Sequence, residues 1–312
     1  MYAVTIVDGA LEWRQHLDPA PGTGEVLVDV RAAGLNGADR LQVAGLYPPP
    51  PGAPADIPGL ELAGEVAALG PGASRFALGD RVMAVVAGGG QAERAVVHER
   101  LLLPVPGGLS WEAAGGFPEV FTTAHDALFT QCGLQMGERV CVHGAAGGVG
   151  TAAIQLARAA GARVTATVRD DARRPEVAAF GVDAIAPDDF AAAGPFDVVL
   201  ELVGAPNVPA DLAALAPRGR IAVIGVGAGA KAELNLLELM GKRARIHGST
   251  LRARSLEDKA DAARRVERNV LPLLESAHVT VPIHATFPMA DAPAAYEAFA
   301  AGGKLGKIVL TR

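Results

Sequence analysis

The stretch "VCVHGAAGGVGTAAIQLARAAGARVTATVRDDARR", residues 140–174, restricts the possible folds more than any other. A short apolar run enters a glycine-rich turn, the turn opens into a helical pattern, and a second apolar run follows. This is the pattern of a βαβ unit, because parallel neighbouring strands need a crossover long enough to hold a helix. The turn Ala145-Ala146-Gly147-Gly148-Val149-Gly150 has the spacing of a dinucleotide-binding fingerprint, with alanine in the first glycine slot. Gly147 lets the backbone approach a pyrophosphate, and Gly150 lets the helix pack closely on the strand. Free N–H groups at the helix start offer hydrogen bonds and partial positive charge to phosphates. The competing reading is a tight βα turn that holds no ligand.

The end of the second strand selects among dinucleotides. An acid there accepts hydrogen bonds from the ribose 2′-hydroxyl of NAD. Here the slot reads Thr167-Val168-Arg169-Asp170, with Arg173 and Arg174 a helical turn further on. A guanidinium fork suits a 2′-phosphate, so NADPH is expected, held by Arg169 and Arg173. In the alternative, Asp170 or Asp171 takes the ribose and the arginines form a solvated helix face.

The rest of the 312 residues frames this unit. Residues 1–115 read as β-rich, with apolar or alternating runs at 25–35, 61–70, 79–86 and 91–106. "LYPPPPGAPADIPG", residues 46–59, carries six prolines and must be an extended surface loop. From residue 140 strands alternate with helical patterns, with strands expected at 140–143, 163–168, 197–200, 221–224 and 245–247. Helices are expected at 149–160, 235–242 and, as one long amphipathic helix with Ser255 as N-cap, 255–276. A last strand in "GKIVLTR" cannot extend the nucleotide unit without a crossover, so it is expected to return to the first domain.

Several classes fall away. The net charge is −6 and Lys and Arg are scattered, which argues against a nucleic-acid surface. Two cysteines, Cys132 and Cys141, cannot build a four-cysteine zinc lobe or a disulfide framework. No stretch approaches the roughly 18 apolar residues of a membrane span. A cytoplasmic protein is expected. Neither a Gly-x-Ser-x-Gly elbow nor His-Glu-x-x-His is present. His125 and His143 look isolated and read as structural, because the sequence names no carboxylate partner for either. Cys141, in a buried strand, reads as inert.

Several segments carry a family resemblance: "AAGLNGADRLQVAGLYPPPPGAP" (32–54), "IPGLELAGEV" (57–66), "GDRVMAVVAGGGQAERAVV" (79–97), "HGAAGGVGTAAIQLARAAGARV" (143–164), "GSTLRAR" (248–254) and "GKIVL" (306–310). Through them the chain resembles, over nearly its full length, the zinc-free quinone oxidoreductase branch of the medium-chain dehydrogenase/reductase superfamily. The resemblance implies an α/β protein of two domains. A GroES-like, β-rich catalytic domain would span 1–115, with 256–312 returning to it at least in part. A Rossmann domain with a doubly wound parallel sheet, spanning 116–255, would bind NADPH in the cleft between the two. Homodimers joined through the Rossmann domains are also implied.

In zinc-dependent relatives a Cys, a His-Glu pair and a second Cys bind catalytic metal. The matching positions are Asn36, Leu60-Glu61 and Glu119. Catalytic zinc takes three protein ligands, so no metal site is expected, and Glu61 is expected to brace the domain interface. The cofactor must then carry the chemistry, while the protein orients the reactants and excludes water. By resemblance Asn36 lies near the nicotinamide ribose, Thr123 beside the carboxamide, Gly225 and Val226 along the nicotinamide, and Lys304 near the cofactor. Thr123 has a second reading as a helix N-cap, and Lys307, which the resemblance places near the cofactor with Lys304, reads equally as a surface lysine in a turn. Tyr47 either stacks on or hydrogen-bonds a flat substrate, or anchors its loop against the prolines. Ser249, Thr250 and Arg252 are placed on the rim. The expected function is an NADPH-dependent, metal-independent quinone reductase. The alternatives are an enoyl or enone reductase for α,β-unsaturated ketones or thioesters, and a non-catalytic nucleotide-binding protein. The intact glycine turn, Asn36 and Tyr47 weigh against the last.

Overall fold

Alternation builds the first sheet of the structure, a computed structural model that describes residues 1–312. In the strand Glu25–Gly34, Val26, Val28 and Val30 are fully buried, and the residues between them are not. This strand is central to a seven-stranded sheet. Ile283–Pro288, Lys307–Thr311, Glu25–Gly34, Glu61–Leu69, Arg81–Val85 and Leu103–Pro104 lie in that order, and Arg94–His98 also pairs with Glu25–Gly34. Lys307–Thr311 thus joins residues from the far end of the sequence to the first sheet, antiparallel to Glu25–Gly34. Inside the sheet Val26, Val28, Leu62, Val82 and Leu310 pack with Tyr296 of the helix Ala292–Ala301.

The second sheet has six strands, all parallel. Their order is Asp183–Ile185, Arg163–Thr167, Arg139–Val142, Phe196–Glu201, Leu215–Val223 and Arg245–Gly248. Counted along the chain this is 3-2-1-4-5-6, the doubly wound Rossmann order, whose ligand crevice lies between the first and fourth strands. The helix Gly148–Ala159 packs on this sheet and against the helix Pro118–His125, and its residues from Gly150 to Ala157 are buried. A core of Phe117, Phe121, Leu128, Val142, Ile154 and Leu200 runs on to Met83 and Leu103 of the first sheet. One packed interior therefore joins the two sheets.

Two details differ from the sequence reading. The helix expected over 255–276 stops at Asn269, and a short helix Leu271–Glu275 follows. Pro272 is the cause, since it has no N–H to donate and its ring clashes with the carbonyl four residues earlier. The strand Asp183–Ile185 is absent from the sequence reading, because three residues are too few to show a period. No helix is long and apolar enough to cross a membrane.

Candidate active site between the two sheets

The glycine turn forms one wall of the site. Gly144 takes the left-handed conformation at φ +63°, one residue before the first glycine slot, so Ala145 in that slot carries no backbone strain. Gly150 has no room for a side chain. A Cβ there would lie 2.6 Å from both the Ala145 Cα and the Gly144 carbonyl oxygen. Gly147 is the N-cap of the helix and no side chain caps it, so the first N–H groups face outward for an anion. These features fit a dinucleotide pyrophosphate. Gly225, on the other side of the crevice, is equally tight, since its Cβ would lie 2.2 Å from the Leu202 carbonyl oxygen. Val226 beside it is exposed.

Behind the turn lies a buried polar group. His143 is not isolated. Its Nε2 is 2.9 Å from Asp211 Oδ1 and its Nδ1 is 2.9 Å from Thr167 Oγ1. The partner lies 68 residues further along, beyond any local signal. Glu201 accepts the Gly204 N–H at 2.7 Å and also the Val203 N–H, which fixes the turn leaving its own strand, Phe196–Glu201. Cys141 is buried, and burial pushes its thiol well above the ordinary range, so it is inert.

The opposite wall comes from the first sheet. Asn36 begins the helix Gly37–Val43 with a capping box: its N–H donates to Asp39 Oδ2 at 2.8 Å. The Asn36 amide donates to Glu61 Oε1 at 2.9 Å, and its Oδ1 accepts from Lys307 Nζ at 2.8 Å. Lys307 Nζ also meets Glu61 Oε1 at 2.6 Å and the Leu35 carbonyl at 2.7 Å. Glu61 Oε2 accepts the Glu119 N–H at 2.9 Å. Lys307 is therefore a buried cation at the centre of this wall, 3% exposed, and not a surface lysine. Burial pushes the Asp39 carboxyl up to about 7 and, with Glu61 adding repulsion, the Glu119 carboxyl up to about 8.

This donor set does not suit a catalytic zinc. Leu60 is apolar, the Asn36 oxygen is taken by an ammonium, and a dication would sit against Lys307.

Backbone joins the two walls directly beside the glycine turn. The Gly306 N–H donates to the Ala146 carbonyl at 2.8 Å, in a parallel bridge between Gly147 and Gly306. The next residue is Lys307, and a Cβ on Gly148 would come within 2.8 Å of its Cδ. Asn36, Ala145, Ala146, Gly147, Gly148, Val149 and Gly150 thus meet through this joint.

The other expected residues fall into three places. Tyr47 is half-buried, and the Arg252 guanidinium lies 4.9 Å over its ring. Arg252 is not a rim residue. It is buried and donates to the carbonyls of Tyr47 and Ala87, both at 2.8 Å, and to Gln42 Oε1 at 2.5 Å. The loop is thus held by an arginine, where the sequence reading offers the prolines. Ser249 donates to Asp126 Oδ2 at 2.9 Å, inside the Arg254–Asp126 ion pair, and Thr250 is exposed. Thr123 is buried within the helix Pro118–His125, so the N-cap reading of it fails.

At the second strand's end Arg169 is exposed and makes no ion pair or hydrogen bond. Arg173 is engaged, donating to the Gly303 carbonyl at 2.9 Å and pairing with Glu176 at 2.7 Å. Asp170 caps the following turn through the Ala172 N–H at 3.0 Å. The Lys304 ammonium lies 3.9 Å from the Phe299 ring centre.

The sequence reading leaves Lys307 undecided and does not include Asp39 in the site. The Asn36-x-x-Asp39 spacing is a capping-box signal and makes Asp39 findable. Lys307 has no such signal, since its partners lie about 270 residues away.

Two family models match the chain: the alcohol dehydrogenase GroES-like domain over residues 22–130 and the zinc-binding dehydrogenase over 148–268. The chain is 31% identical over 304 residues to the quinone oxidoreductase of Rattus norvegicus, covering 94% of this chain and 90% of that protein. Bacterial polyketide synthases match at 35–45% identity, but the chain spans only 5–14% of their length. Among solved structures, the quinone oxidoreductase from Thermus thermophilus, described with its NADPH complex, is 34% identical, with a TM-score of 0.86 and both chains fully covered. CurK enoyl reductase is 25% identical with a TM-score of 0.86, covering 99% of this chain and 98% of that one. The chain belongs to the medium-chain dehydrogenase/reductase superfamily of oxidoreductases, among its quinone-oxidoreductase-like members.

Proposed function

We propose that the chain is an NADPH-dependent, metal-independent quinone reductase working in the cleft between its two sheets. The observation that carries this reading is the joint at Gly306–Lys307, which ties the pyrophosphate turn to the Asn36–Glu61–Lys307 wall. A dinucleotide seated on the turn therefore lies beside a wall of fixed polar groups. When bound, the reduced nicotinamide supplies hydride. The chain's own residues bind, orient and exclude water. Gly147, Gly148, Val149 and Gly150 seat the phosphates with Ala145 and Ala146. Gly225 and Val226 line the nicotinamide side with Thr123, and Asn36 orients the ribose. Tyr47, held by Arg252, offers a flat face to a planar acceptor. Val168 stands apolar where an NAD-type fold places an acid, and Arg169 beside it, a free guanidinium, favours the 2′-phosphate.

In this reading residues 1–115 and part of 256–312 form the substrate side, and 116–255 the cofactor side. The chain acts as a cytoplasmic homodimer. Exposed Leu236, Leu237 and Met240 next to the free edge strand Arg245–Gly248 support that arrangement, and two unpaired cysteines support the compartment.

The likeness to CurK enoyl reductase favours a second reading, hydride delivery to an enone or enoyl thioester. NADPH oxidation measured with ortho-quinones, para-quinones and enones separates the two. Turnover of quinones well above enones is expected. No oxidation with any acceptor, despite tight NADPH binding, overturns both. Arg169→Ala should weaken NADPH far more than NADH, and equal loss for the two refutes the phosphate assignment.

A further inference from the structure

Three carboxyls and one ammonium crowd the wall of the cleft, and they are not equivalent. Asp39 is fully buried and uses both oxygens, accepting the N–H groups of Asn36 at 2.8 Å and Gly59 at 3.2 Å. Glu61, also fully buried, uses Oε1 on Lys307 and Asn36 and Oε2 on the Glu119 N–H. The Glu119 carboxyl makes no hydrogen bond to the chain, and Glu119 alone of the three keeps part of its surface open.

Its position is nevertheless fixed. Glu119 stands in the first turn of the helix Pro118–His125, anchored by its N–H on Glu61. The next residue, Val120, touches the glycine turn, since a Cβ on Gly148 would meet its Cγ1 at 2.9 Å. Glu119 therefore lies where the two walls meet. Glu61, Lys307, Asp39, Arg252 and Tyr47 are the charged and titratable groups near enough to act on it.

A carboxyl placed in a cleft with no partner in its own protein is placed for a partner that arrives. We propose that Glu119 is the proton donor of the reduction, giving its proton to the acceptor oxygen that hydride transfer leaves negative. The inference rests on the reductase reading above. Hydride brings the acceptor one hydrogen nucleus and two electrons. A quinone becomes a hydroquinone only when a second proton reaches the oxygen that carries the new electron pair. In that step the Glu119 O–H bond breaks, the product O–H bond forms, and Glu119 is left as a carboxylate. Water restores its proton through the open side. The reduced nicotinamide is the only reductant required. An enolate oxygen from an enone takes the same proton.

The surroundings agree with the geometry. Burial, Glu61 and Asp39 hold the carboxyl neutral up to about pH 8 against the pull of Lys307 and Arg252. Tyr47 is the poorer acid, because burial raises its hydroxyl above the ordinary tyrosine range despite the pull of Arg252.

The test uses Glu119→Gln and Glu119→Asp in the full chain, with two readouts. The first is the infrared carboxyl stretch of cofactor-free protein, titrated with pH. The parent should show a neutral-acid band that fades near pH 8 and is missing from Glu119→Gln. The second is the pH profile of kcat with a quinone and NADPH. The parent should fall above about pH 8. Glu119→Gln should lose about 10²-fold or more in kcat and lose the alkaline limb. Its KM and NADPH affinity should stay within threefold, which also shows that it folds. Glu119→Asp should keep the limb at a reduced rate. A Glu119→Gln variant with parental kcat and an unchanged limb, or a band that it does not remove, overturns the proposal while leaving the reductase reading intact. A parent that reduces no acceptor overturns both.

Discussion

Lys307→Met is the substitution whose cost can be worked most directly from the structure. The ammonium spends all three protons, on Glu61 Oε1 at 2.6 Å, the Leu35 carbonyl at 2.7 Å and Asn36 Oδ1 at 2.8 Å. Its side chain is 3% exposed and that of Glu61 is 0% exposed. Methionine fills a similar volume, so the loss is electrostatic. Removing one partner of a buried pair costs about 3–5 kcal/mol, because the other charge is stranded. The orphaned Leu35 carbonyl adds about 1–3 kcal/mol. Protonation of the stranded carboxyl limits the total, at about 1.4 kcal/mol for each pH unit above ordinary glutamate titration. A net loss of about 4 kcal/mol at pH 7 is expected, shrinking toward pH 5. In a chain of this length that is about 6 °C in melting temperature if the two domains unfold together. The assay is urea denaturation at pH 5 and pH 7, followed by tryptophan fluorescence from Trp13 and Trp111. Adding Glu61→Gln should recover most of the loss, because no buried charge is then left unpaired. A single variant within 1 kcal/mol of the parent at pH 7, or a double variant no better than the single, refutes the electrostatic account.

Three further outcomes follow from the geometry. Gly150→Ala should cost about 1–3 kcal/mol and at least tenfold in dinucleotide affinity by calorimetry, because its Cβ would overlap the Ala145 Cα and the Gly144 carbonyl at 2.6 Å. Arg252→Ala should speed limited proteolysis of the proline-rich loop roughly tenfold, since Tyr47, Ala87 and Gln42 lose a shared donor. Arg252→Lys should not restore protection, because a lysine lacks the fork that reaches all three. The third outcome concerns pH. Asp39 has its carboxyl raised from 3.8 to about 7 by burial, so the folded state binds its proton more tightly than the unfolded chain. That contribution is fully present below about pH 4 and is lost as pH rises through about 7, with a ceiling of ~4 kcal/mol. Denaturation midpoints from pH 4 to 8 should show the decline, and Asp39→Asn should make it shallower, leaving the part of the same sign that Glu119 contributes; an unchanged slope counts against the assignment.

Local signals are legible in the sequence and long-range ones are not. The glycine turn and the Ser255 cap are set by neighbours within a few residues, and each appears in the structure where its residue type demands. The break at Pro272 is equally local and readable, since a proline inside a helical pattern ends it. The strand order 3-2-1-4-5-6 follows from the sequence only through the family resemblance, which implies a doubly wound sheet; periodicity and spacing do not select which strands become neighbours. The same holds for charge. Lys307 looks like any lysine in a turn until Asn36 and Glu61 arrive from the far end of the chain. His143 looks unpartnered until Asp211 does.

The joint at Gly306–Lys307 also bears on how firmly the cleft is held. Its two sides are held unequally. On one, a backbone hydrogen bond from Gly306 to Ala146 crosses between the walls, next to a buried ion pair that belongs to the first sheet alone. On the other, Arg252, itself buried, grips Tyr47, Ala87 and Gln42 through three side-chain bonds. The first tie depends on backbone geometry and the second on one side chain, so a single substitution at Arg252 can remove the second and leave the first.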